Sequence, residues 1–573
     1  MRRFLPNGKE LETIFDLMPK REKVFFLFFF AIAWVTGILM LIGIDRNYST
    51  QTPDQGGTLR EGILGIPSKI NPLLAISDAD RDLVRLVYSG LMKSDGRGGL
   101  EKDLAQSYMV SDDGLSYSFT LREKLFWHDG ERVTTDDIIY TINLAKNPRI
   151  ASPKRANWEG VTPEVVNDRE IKFYLRKPYA PFLETTTLGV IPKHIWSKVS
   201  PEEFALAEFN TSPIGSGPFK IDSITKNSAG GKQSYILKRF EDHQPASAYL
   251  DKIEFYFYPS EEELSGAVQS GAIQSANIIL DPGRAGTKTL AVQLPRIIGI
   301  FFNQDNDKIL SDAKLRAALG FATDRERIVR EATAARAAAT SLPIPPGTFA
   351  YDKNLEEKTF DPERAKKILA DAGYKDTDGD GILEKVAKKE TTPLRFVIST
   401  SNAAELVKAG TAIQEMWKAI GVDAAVHAYE IGDLEQSIIR PRNYSALLFG
   451  QVVGYDPDPF AFWHSSQRND PGLNIALYAN THVDKILEDA RATIDADERG
   501  SLYRSFQEEI MKDKPAIFLY SPLYYYTVPD DLRGIDLVQI PLPPERFSGI
   551  SHWYLATRSV WNFLLRFPVL QKF

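Results

Sequence analysis

The sequence contains no cysteine among its 573 residues. This absence excludes disulfide bonds, zinc sites with cysteine ligands, thiol catalysis and an anchor attached through a lipid-modified cysteine. The seven histidines show no spacing that is typical of metal ligands. The motifs of zinc proteases (H-E-x-x-H), phosphate-binding loops and serine hydrolases (G-x-S-x-G) are also missing. We therefore expect no enzymatic activity and no cofactor.

An excess of basic charge is lacking too, because the formal net charge is −7 at pH 7. Nucleic-acid-binding proteins need a basic surface, so that class of partner is not expected. The hydrophobic fraction of 43% and the charged fraction of 25% are those of an ordinary globular protein. A chain of this length exceeds the size of one hydrophobic core, which predicts two or more domains.

A single hydrophobic run is long enough to cross a membrane. It covers Val24–Ile44, which carry no charge. Basic residues crowd its N-terminal side and only Arg46 follows it closely, so residues 1–23 are predicted to be cytoplasmic and the rest extracytoplasmic. Residues 45–56 are rich in turn formers and are expected to act as a tether. The alternative is a buried helix of a soluble domain. The basic residues before the run are Arg2, Arg3, Lys9, Lys20, Arg21 and Lys23.

The remaining chain mixes strand and helix patterns, which indicates an α/β protein. Alternating or β-branched and aromatic runs predict strands at Leu115–Leu121, Glu170–Leu175 and Lys252–Pro259. A helix is predicted from the N-cap Asp361 to a stop at Gly373. Leu406–Ile420 form an apolar face at helical spacing and predict a second helix.

Two motifs are interpreted as scaffold. In "LFWHDGERVTTDDI", Thr134 or Thr135 is expected to cap a helix, and His128 is assigned to the scaffold. In "SPIGSGPFKI", Gly215 and Gly217 are expected to adopt backbone angles that other residues avoid.

Several stretches, taken in order, resemble the family 5 solute-binding proteins of ABC importers, the group that contains the dipeptide- and oligopeptide-binding proteins. The similarity runs from about Gly56 to about Trp561. Each motif is weak alone, whereas the ordered series is specific. The stretches are "GGTLREGILGIPSKINPLLAISDADRDLVRLVYSGL", "LAQSYMVSDDGLSYSFTLREKLFWHDGERVTTDDIIYTI", "IPKHIW", "SPIGSGPFKI", "IGIFFNQDNDKILSDAKLRAALGFATDRERIV", "SLPIPPG", "AGYKDTDGDGILEK" and "GYDPDPFAFWHSSQ".

The resemblance implies a two-lobed α/β fold of the periplasmic-binding-protein type (Venus flytrap, type II), preceded here by one transmembrane helix. Lobe I would comprise residues 57–296, with an inserted subdomain at about 104–205. Lobe II would comprise residues 297–520. Residues 521–562 would return to lobe I, and residues 563–573 would form a tail.

The resemblance also points to the loop "GYDPDPFAFWHSSQ" as a ligand site. In peptide-binding relatives an aspartate near this loop binds the amine of the ligand, and a buried amine needs such a counter-charge. Here the acid that usually precedes the aromatic residue is replaced, so Asp456 is the first candidate and Asp458 the second. Tyr455, Phe460 and Trp463 are expected to line an apolar pocket. Both acids could instead cap turns around the neighbouring prolines.

Four further residues are candidates because the resemblance places their stretches beside the cleft. Ile76 and Ser77 follow the first strand of the ectodomain. Asn277 lies at a crossover, and Asn303 lies where the chain begins the second lobe. The alternative for all four is ordinary packing at the hinge.

The implied function is that of a membrane-anchored, monomeric solute-binding component of an ABC importer. It would capture short peptides by hinge closure and deliver them to permease subunits driven by cytoplasmic ATPases. Other solutes (a nickel chelate, haem or an oligosaccharide) remain alternatives on the same fold, as does a ligand sensor. A hydrolase is disfavoured because no nucleophile–base arrangement appears.

"DTDGDG" resembles the start of a calcium loop, with alternating Asp376, Asp378 and Asp380. A complete loop of that type needs a bidentate acid at its twelfth position, which is Ala387. We therefore predict a series of turns on the second lobe, with a weakly bound structural ion as the alternative.

Overall fold

The chain folds as two units in the computed structural model. One unit comprises Met1–Gly56 with Tyr554–Phe573, and the other, here called the body, comprises Gly57–Trp553. The structure describes residues 15, 17–226, 232–277, 283–357, 360–387 and 390–561. Most of the predicted cytoplasmic segment and the predicted tail at 563–573 therefore lie outside the described residues.

The described elements alternate between strands and helices along most of the chain. The strands are β1 Ser49–Pro53, β2 Thr58–Leu64, β3 Met92–Ser94, β4 Leu100–Lys102, β5 Ala105–Val110, β6 Ser116–Leu121, β7 Val161–Asn167, β8 Glu170–Leu175, β9 Phe219–Lys226, β10 Lys232–Arg239, β11 Lys252–Tyr258, β12 Ser275–Asn277, β13 Thr287–Gln293, β14 Arg296–Phe302, β15 Ala337–Ala339, β16 Tyr374–Lys375, β17 Glu384–Ala387, β18 Glu390–Pro393, β19 Arg395–Ser401, β20 Asp423–Tyr429, β21 Ala446–Val452, β22 Ala516–Pro529 and β23 Thr557–Trp561. The helices are α1 Lys20–Tyr48, α2 Asp78–Val87, α3 Thr135–Lys146, α4 Phe182–Thr185, α5 Lys193–Trp196, α6 Glu261–Ser270, α7 Ala313–Phe321, α8 Arg325–Thr333, α9 Pro362–Asp371, α10 Ala404–Lys418, α11 Ile431–Asp433, α12 Phe460–Trp463, α13 Thr481–Ala492 and α14 Ala496–Asp513.

The terminal unit contains the apolar helix α1 and a two-stranded ladder. Within the span Lys20–Met40, the most apolar 18 residues have a mean hydropathy of 2.1, and none of them is buried. By length and composition this helix can cross a membrane. It continues past the predicted end at Ile44, and β1, which lies in the predicted tether, pairs antiparallel with β23.

A 12-stranded sheet organises the body, with ten strands in the order β20-β19-β21-β14-β22-β12-β2-β11-β10-β9 and with β13 and β15 each pairing with β22. The strand β22 connects its two halves. Residues Ala516–Tyr520 pair with β14, whereas Leu523–Pro529 pair with β13. A separate antiparallel sheet, β5-β6-β8-β7, lies within the predicted inserted subdomain.

Two hydrophobic cores flank the part of the sheet that contains β14. Side chains alternate along a strand, so Ile300 and Phe302 join one core while Phe301 joins the other. Trp417 on α10 belongs to the first core and Trp463 on α12 to the second. The layers are therefore helix, sheet and helix, as an α/β fold requires.

Local sequence signals correctly predicted several elements. β8 has the predicted bounds Glu170–Leu175, and β6 and β11 overlap the other two predicted strands. The carboxylate of Asp361 accepts the Arg364 N–H at 2.8 Å and caps α9 as predicted. Thr134 is the N-cap of α3.

The glycines of "SPIGSGPFKI" do not have the unusual backbone angles that we predicted. Neither Gly215 nor Gly217 has a positive φ. Both are needed because a Cβ atom would lie 1.9 Å from the Val87 carbonyl oxygen at position 215 and 2.4 Å from the Leu86 carbonyl oxygen at position 217. The ring of His128 faces the Gly217 carbonyl oxygen at 3.0 Å, so the two scaffold motifs pack together.

The "DTDGDG" stretch joins β16 to β17 as a series of turns. Asp376 accepts N–H groups from two glycines, and Arg395 forms an ion pair with Asp380. Asp378 and Glu384 complete a group whose carboxylate oxygens lie within 4.8 Å of one another. The calcium alternative stays a prediction, since turn hydrogen bonds and Arg395 already account for much of this charge.

A buried charge cluster ties β2, α2 and the C-terminal part of the body together. Arg546 is 1% exposed and forms ion pairs with Asp82 at 2.7 Å and with Glu61 at 2.9 Å. The Tyr526 hydroxyl also donates to Glu61, at 2.9 Å. Burial raises the pKa of Asp82 to about 6 against the opposing effect of Arg546.

We predict that Arg546→Met lowers the free energy of unfolding by about 3–5 kcal/mol, because two buried carboxylates lose their counter-charge. Urea unfolding of the full chain measures this change. Arg149→Met is the matched control, since its ion pair with Glu202 is exposed and should have only a small effect. Equal shifts for the two variants would contradict a structural role of the cluster.

Candidate functional site

The body contains a partly open cavity that is lined by both positive and negative groups. It offers ≈ 140 Å³ to the centre of a water molecule, enough for about ten waters or a small solute. Its cations are Arg81, Arg85 and Lys154, and its acids are Glu184 and Glu545. The other lining residues are Pro72, Ala75, Val84, Tyr88, Asn157, Trp158, Thr185, Thr187, Leu188, Gly189, Leu542 and Pro544.

The cationic wall is held by α2 and the segment that packs on it. Ser77 caps α2, and Arg85 lies in its last turn. Nε of Arg85 donates to the Ser548 hydroxyl at 3.1 Å and lies 3.2 Å from the Glu545 carboxylate. The buried cluster of Arg546 joins the same two elements, so it orients this wall.

A second wall comes from the short helix α4, which carries Glu184. The backbone N–H of Asp456 donates to Oε1 of Glu184. Burial, helped by the nearby acids Asp456 and Asp458, raises the pKa of Glu184 to about 8, although hydrogen bonds from the backbone of the loop oppose this shift. Glu184 thus connects the predicted inserted subdomain to the loop after β21.

The two acids of that loop are already paired. Asp456 accepts from Arg499 at 2.8 Å and from the Tyr503 hydroxyl at 2.7 Å. Arg491 binds Asp458 through two nitrogens, at 2.8 and 2.6 Å. Burial nevertheless raises the pKa of Asp456. The Asp458 N–H also donates to Asp456 at 3.2 Å, whereas both arginines come from helices outside the loop, and the binding roles of the two acids remain predictions.

Two aromatic candidates of the loop, Tyr455 and Phe460, lie in different surroundings. Burial raises the pKa of the Tyr455 hydroxyl well above its usual range, and the cavity acids Glu184 and Glu545 lie near it. Phe460 stacks on His464 at 4.1 Å and lies under the Arg491 guanidinium.

Trp463 was expected to line the pocket, but it is 1% exposed in a hydrophobic core and is absent from the cavity lining. Its indole is apolar enough to be stabilised by full burial.

The remaining candidates do not line the cavity either. Ile76 is 66% exposed, and Ser77 is engaged with Asp80 as the helix cap, although their neighbour Ala75 is a lining residue. Asn277 pairs with β22. Asn303 is 1% exposed and donates to the Arg442 carbonyl oxygen at 2.9 Å. Their predicted binding roles remain predictions.

Comparison with known proteins gives this site its context. The family model described as bacterial extracellular solute-binding proteins, family 5 middle, matches residues 99–472. The chain belongs to this family. Family 5 consists of extracytoplasmic solute-binding proteins rather than enzymes, and this membership agrees with the resemblance seen in the ordered motifs.

Relatives within family 5 differ in their ligands. The oligopeptide-binding protein AppA of Bacillus subtilis is 28% identical over 521 residues, which cover 89% of this chain and 93% of the relative. The heme-binding protein A of Haemophilus influenzae is 26% identical over 506 residues, covering 81% of this chain and 86% of the relative.

Solved structures of family 5 share the fold. The structure of AppA from Bacillus subtilis with a nonapeptide has a TM-score of 0.66 and 28% identity, and the match covers 88% of this chain and 100% of that one. NikZ from Campylobacter jejuni with Ni(L-His) has a TM-score of 0.67 and 28% identity, with coverage of 87% and 99%. The predicted two-lobed α/β fold is confirmed.

For this family 5 protein we predict that Asp456→Ala lowers the free energy of unfolding by about 3 kcal/mol, because Arg499 loses its buried partner. Thermal unfolding of the ligand-free chain measures the effect. Asp305→Ala is the control, since its partnership with Arg468 is exposed. Unchanged stability together with lost peptide binding would instead identify Asp456 as the amine partner.

Proposed function

We propose that this chain is the membrane-anchored solute-binding component of an ABC importer and that it captures short peptides in the cavity beside Glu184. The observation that carries this proposal is the presence of both cationic and acidic groups around one cavity. A peptide with free ends has an ammonium and a carboxylate, and both need counter-charges once a closed cleft removes water.

The contacts around the cavity support capture by closure. Glu184 accepts from the loop after β21, and the Ala180 N–H donates to the Arg491 carbonyl oxygen at 2.8 Å. These contacts join the predicted inserted subdomain of lobe I to predicted lobe II. The two predicted lobes would open and close by bending at β22 and at the connection between β13 and β14, and this motion would admit and release the ligand.

The anchor gives the binding protein its location. With basic residues before the hydrophobic run Val24–Ile44, residues 1–23 would be cytoplasmic and the body extracytoplasmic. Attachment raises the effective concentration of the body near permease subunits, whose ATPases act in the cytoplasm. The chain would work as a monomer, and its contribution is binding rather than turnover.

Relatives named for haem and nickel–histidine define the alternative ligands. No histidine is found among the described residues that line the cavity, and this chemistry favours a peptide over a metal chelate. The sensor alternative draws no support from the described residues.

We predict that the full chain, purified in detergent, carries a mixture of short peptides. Denaturing the protein and analysing the released molecules by mass spectrometry tests this. Adding a peptide pool after ligand removal should raise the unfolding temperature. Release of a single haem, sugar or metal species would overturn the peptide assignment.

A further inference from the structure

If the proposed function is right, one acid must bind the ammonium of the peptide. The acids expected from the sequence are poor choices, because Asp456 is held by Arg499 and Asp458 by Arg491. A second cation would then share a carboxylate that already has its counter-charge. The cavity lining contains two other acids, Glu184 and Glu545, and Glu545 already pairs with Arg85.

Glu184 differs from these acids in its partners. No lysine or arginine of the described residues lies within ion-pair distance of its carboxylate, which is held by the Asp456 backbone N–H. Burial without a counter-charge raises its pKa to about 8. An ammonium group in the cavity would supply the missing charge and favour the ionised carboxylate.

Gly454 leaves the space that this carboxylate occupies. A Cβ atom at position 454 would lie 2.4 Å from Oε2 of Glu184, so a larger residue there would displace the Glu184 carboxylate from this position. The φ angle of Gly454 is not positive, and its backbone therefore does not require glycine. Glycine at this position leaves room for the carboxylate of Glu184, which approaches from a distant part of the chain.

The cationic wall provides for the opposite end of a ligand. The Arg85 side chain is 10% exposed, and its Nη2 is buried without a hydrogen-bond partner among the described residues. Lys154 lines the same cavity, and burial lowers the pKa of its ammonium. A ligand carboxylate would satisfy both groups.

We propose that Glu184, and not Asp456 or Asp458, binds the ligand ammonium, while Arg85 and Lys154 bind its carboxylate. The ligand class is a short zwitterionic peptide whose two free ends both lie in this cavity. Glu184 and Gly454 then act as a matched pair: the glycine removes a side chain from the loop, and the glutamate brings a carboxylate into that space.

Titration calorimetry with L-alanyl-L-alanine, its N-acetyl form and its C-terminal amide tests the assignment on the ligand-free full chain. N-acetylation should weaken binding to the wild type by about 30-fold or more. In Glu184→Gln the free dipeptide should bind about as weakly as the acetylated one does to the wild type, and acetylation should add little. Glu202→Gln, an exposed acid, should keep the wild-type pattern.

The carboxylate end has its own test. Amidation should weaken binding to the wild type and should matter little in Arg85→Met. If the acetylation penalty persists in Glu184→Gln but disappears in Asp456→Asn or Asp458→Asn, the loop acids bind the ammonium and the proposal is wrong.

A swap of the acid between the two positions keeps the test informative if Glu184→Gln unfolds. Glu184→Ala combined with Gly454→Asp should restore preference for the free ammonium, because the new carboxylate enters the vacated space. Gly454→Asp alone should bind poorly, since two carboxylates compete for that space. A folded double variant without ammonium preference would overturn the proposal.

Binding of the dipeptides to the wild-type chain distinguishes failure of this inference from failure of the proposed function on which it rests. If it binds none of the dipeptides and releases haem or a metal species, both the peptide function and this inference fail. If it binds the free and acetylated dipeptides equally, peptide binding stands and the role of Glu184 is refuted.

Discussion

A buried carboxylate is stable only with a counter-charge or strong hydrogen bonds, and this constraint organises the interior of the body. Arg546 supplies the counter-charge for Glu61 and Asp82, and it thereby holds α2 against the segment of the body near the C-terminus. Arg499 and Arg491 supply it for the acids of the loop after β21. Among the acids that line the cavity, Glu545 pairs with Arg85, and Glu184 has no ion-pair partner among the described residues.

The long strand β22 is the part of the sheet at which the two halves of the body would move relative to each other. It pairs with β14 at one end and with β13 at the other, so it belongs to both halves of the sheet. The half that contains β14 is packed by a hydrophobic core on each face, and packed cores move as rigid units while connections bend. On the function proposed above, the contact from Glu184 to the loop after β21 would belong to the closed arrangement, in which a bound solute and the loop would share one carboxylate.

Local signals predicted much of the fold, because caps and alternation act over a few residues. Asp361 and Thr134 cap their helices, and β8 has its predicted bounds. The two-lobed arrangement needed the ordered motifs, since no local pattern shows that β22 joins both halves. Glu184 could not be predicted, because it lies in no motif and approaches Gly454 only in the fold. Conversely, the acid-rich loop suggested Asp456, but Arg499 comes from a helix beyond the motif.

A crystal structure of the full chain with L-alanyl-L-alanine tests the central claim most directly, because it locates both charged ends of the ligand. The account predicts a closed body with the dipeptide in the cavity. Its ammonium nitrogen should lie about 3 Å from a Glu184 oxygen, within hydrogen-bond range, and its carboxylate should contact Arg85 or Lys154. A dipeptide bound outside this cavity, or with its ammonium on Asp456 or Asp458, would contradict the account.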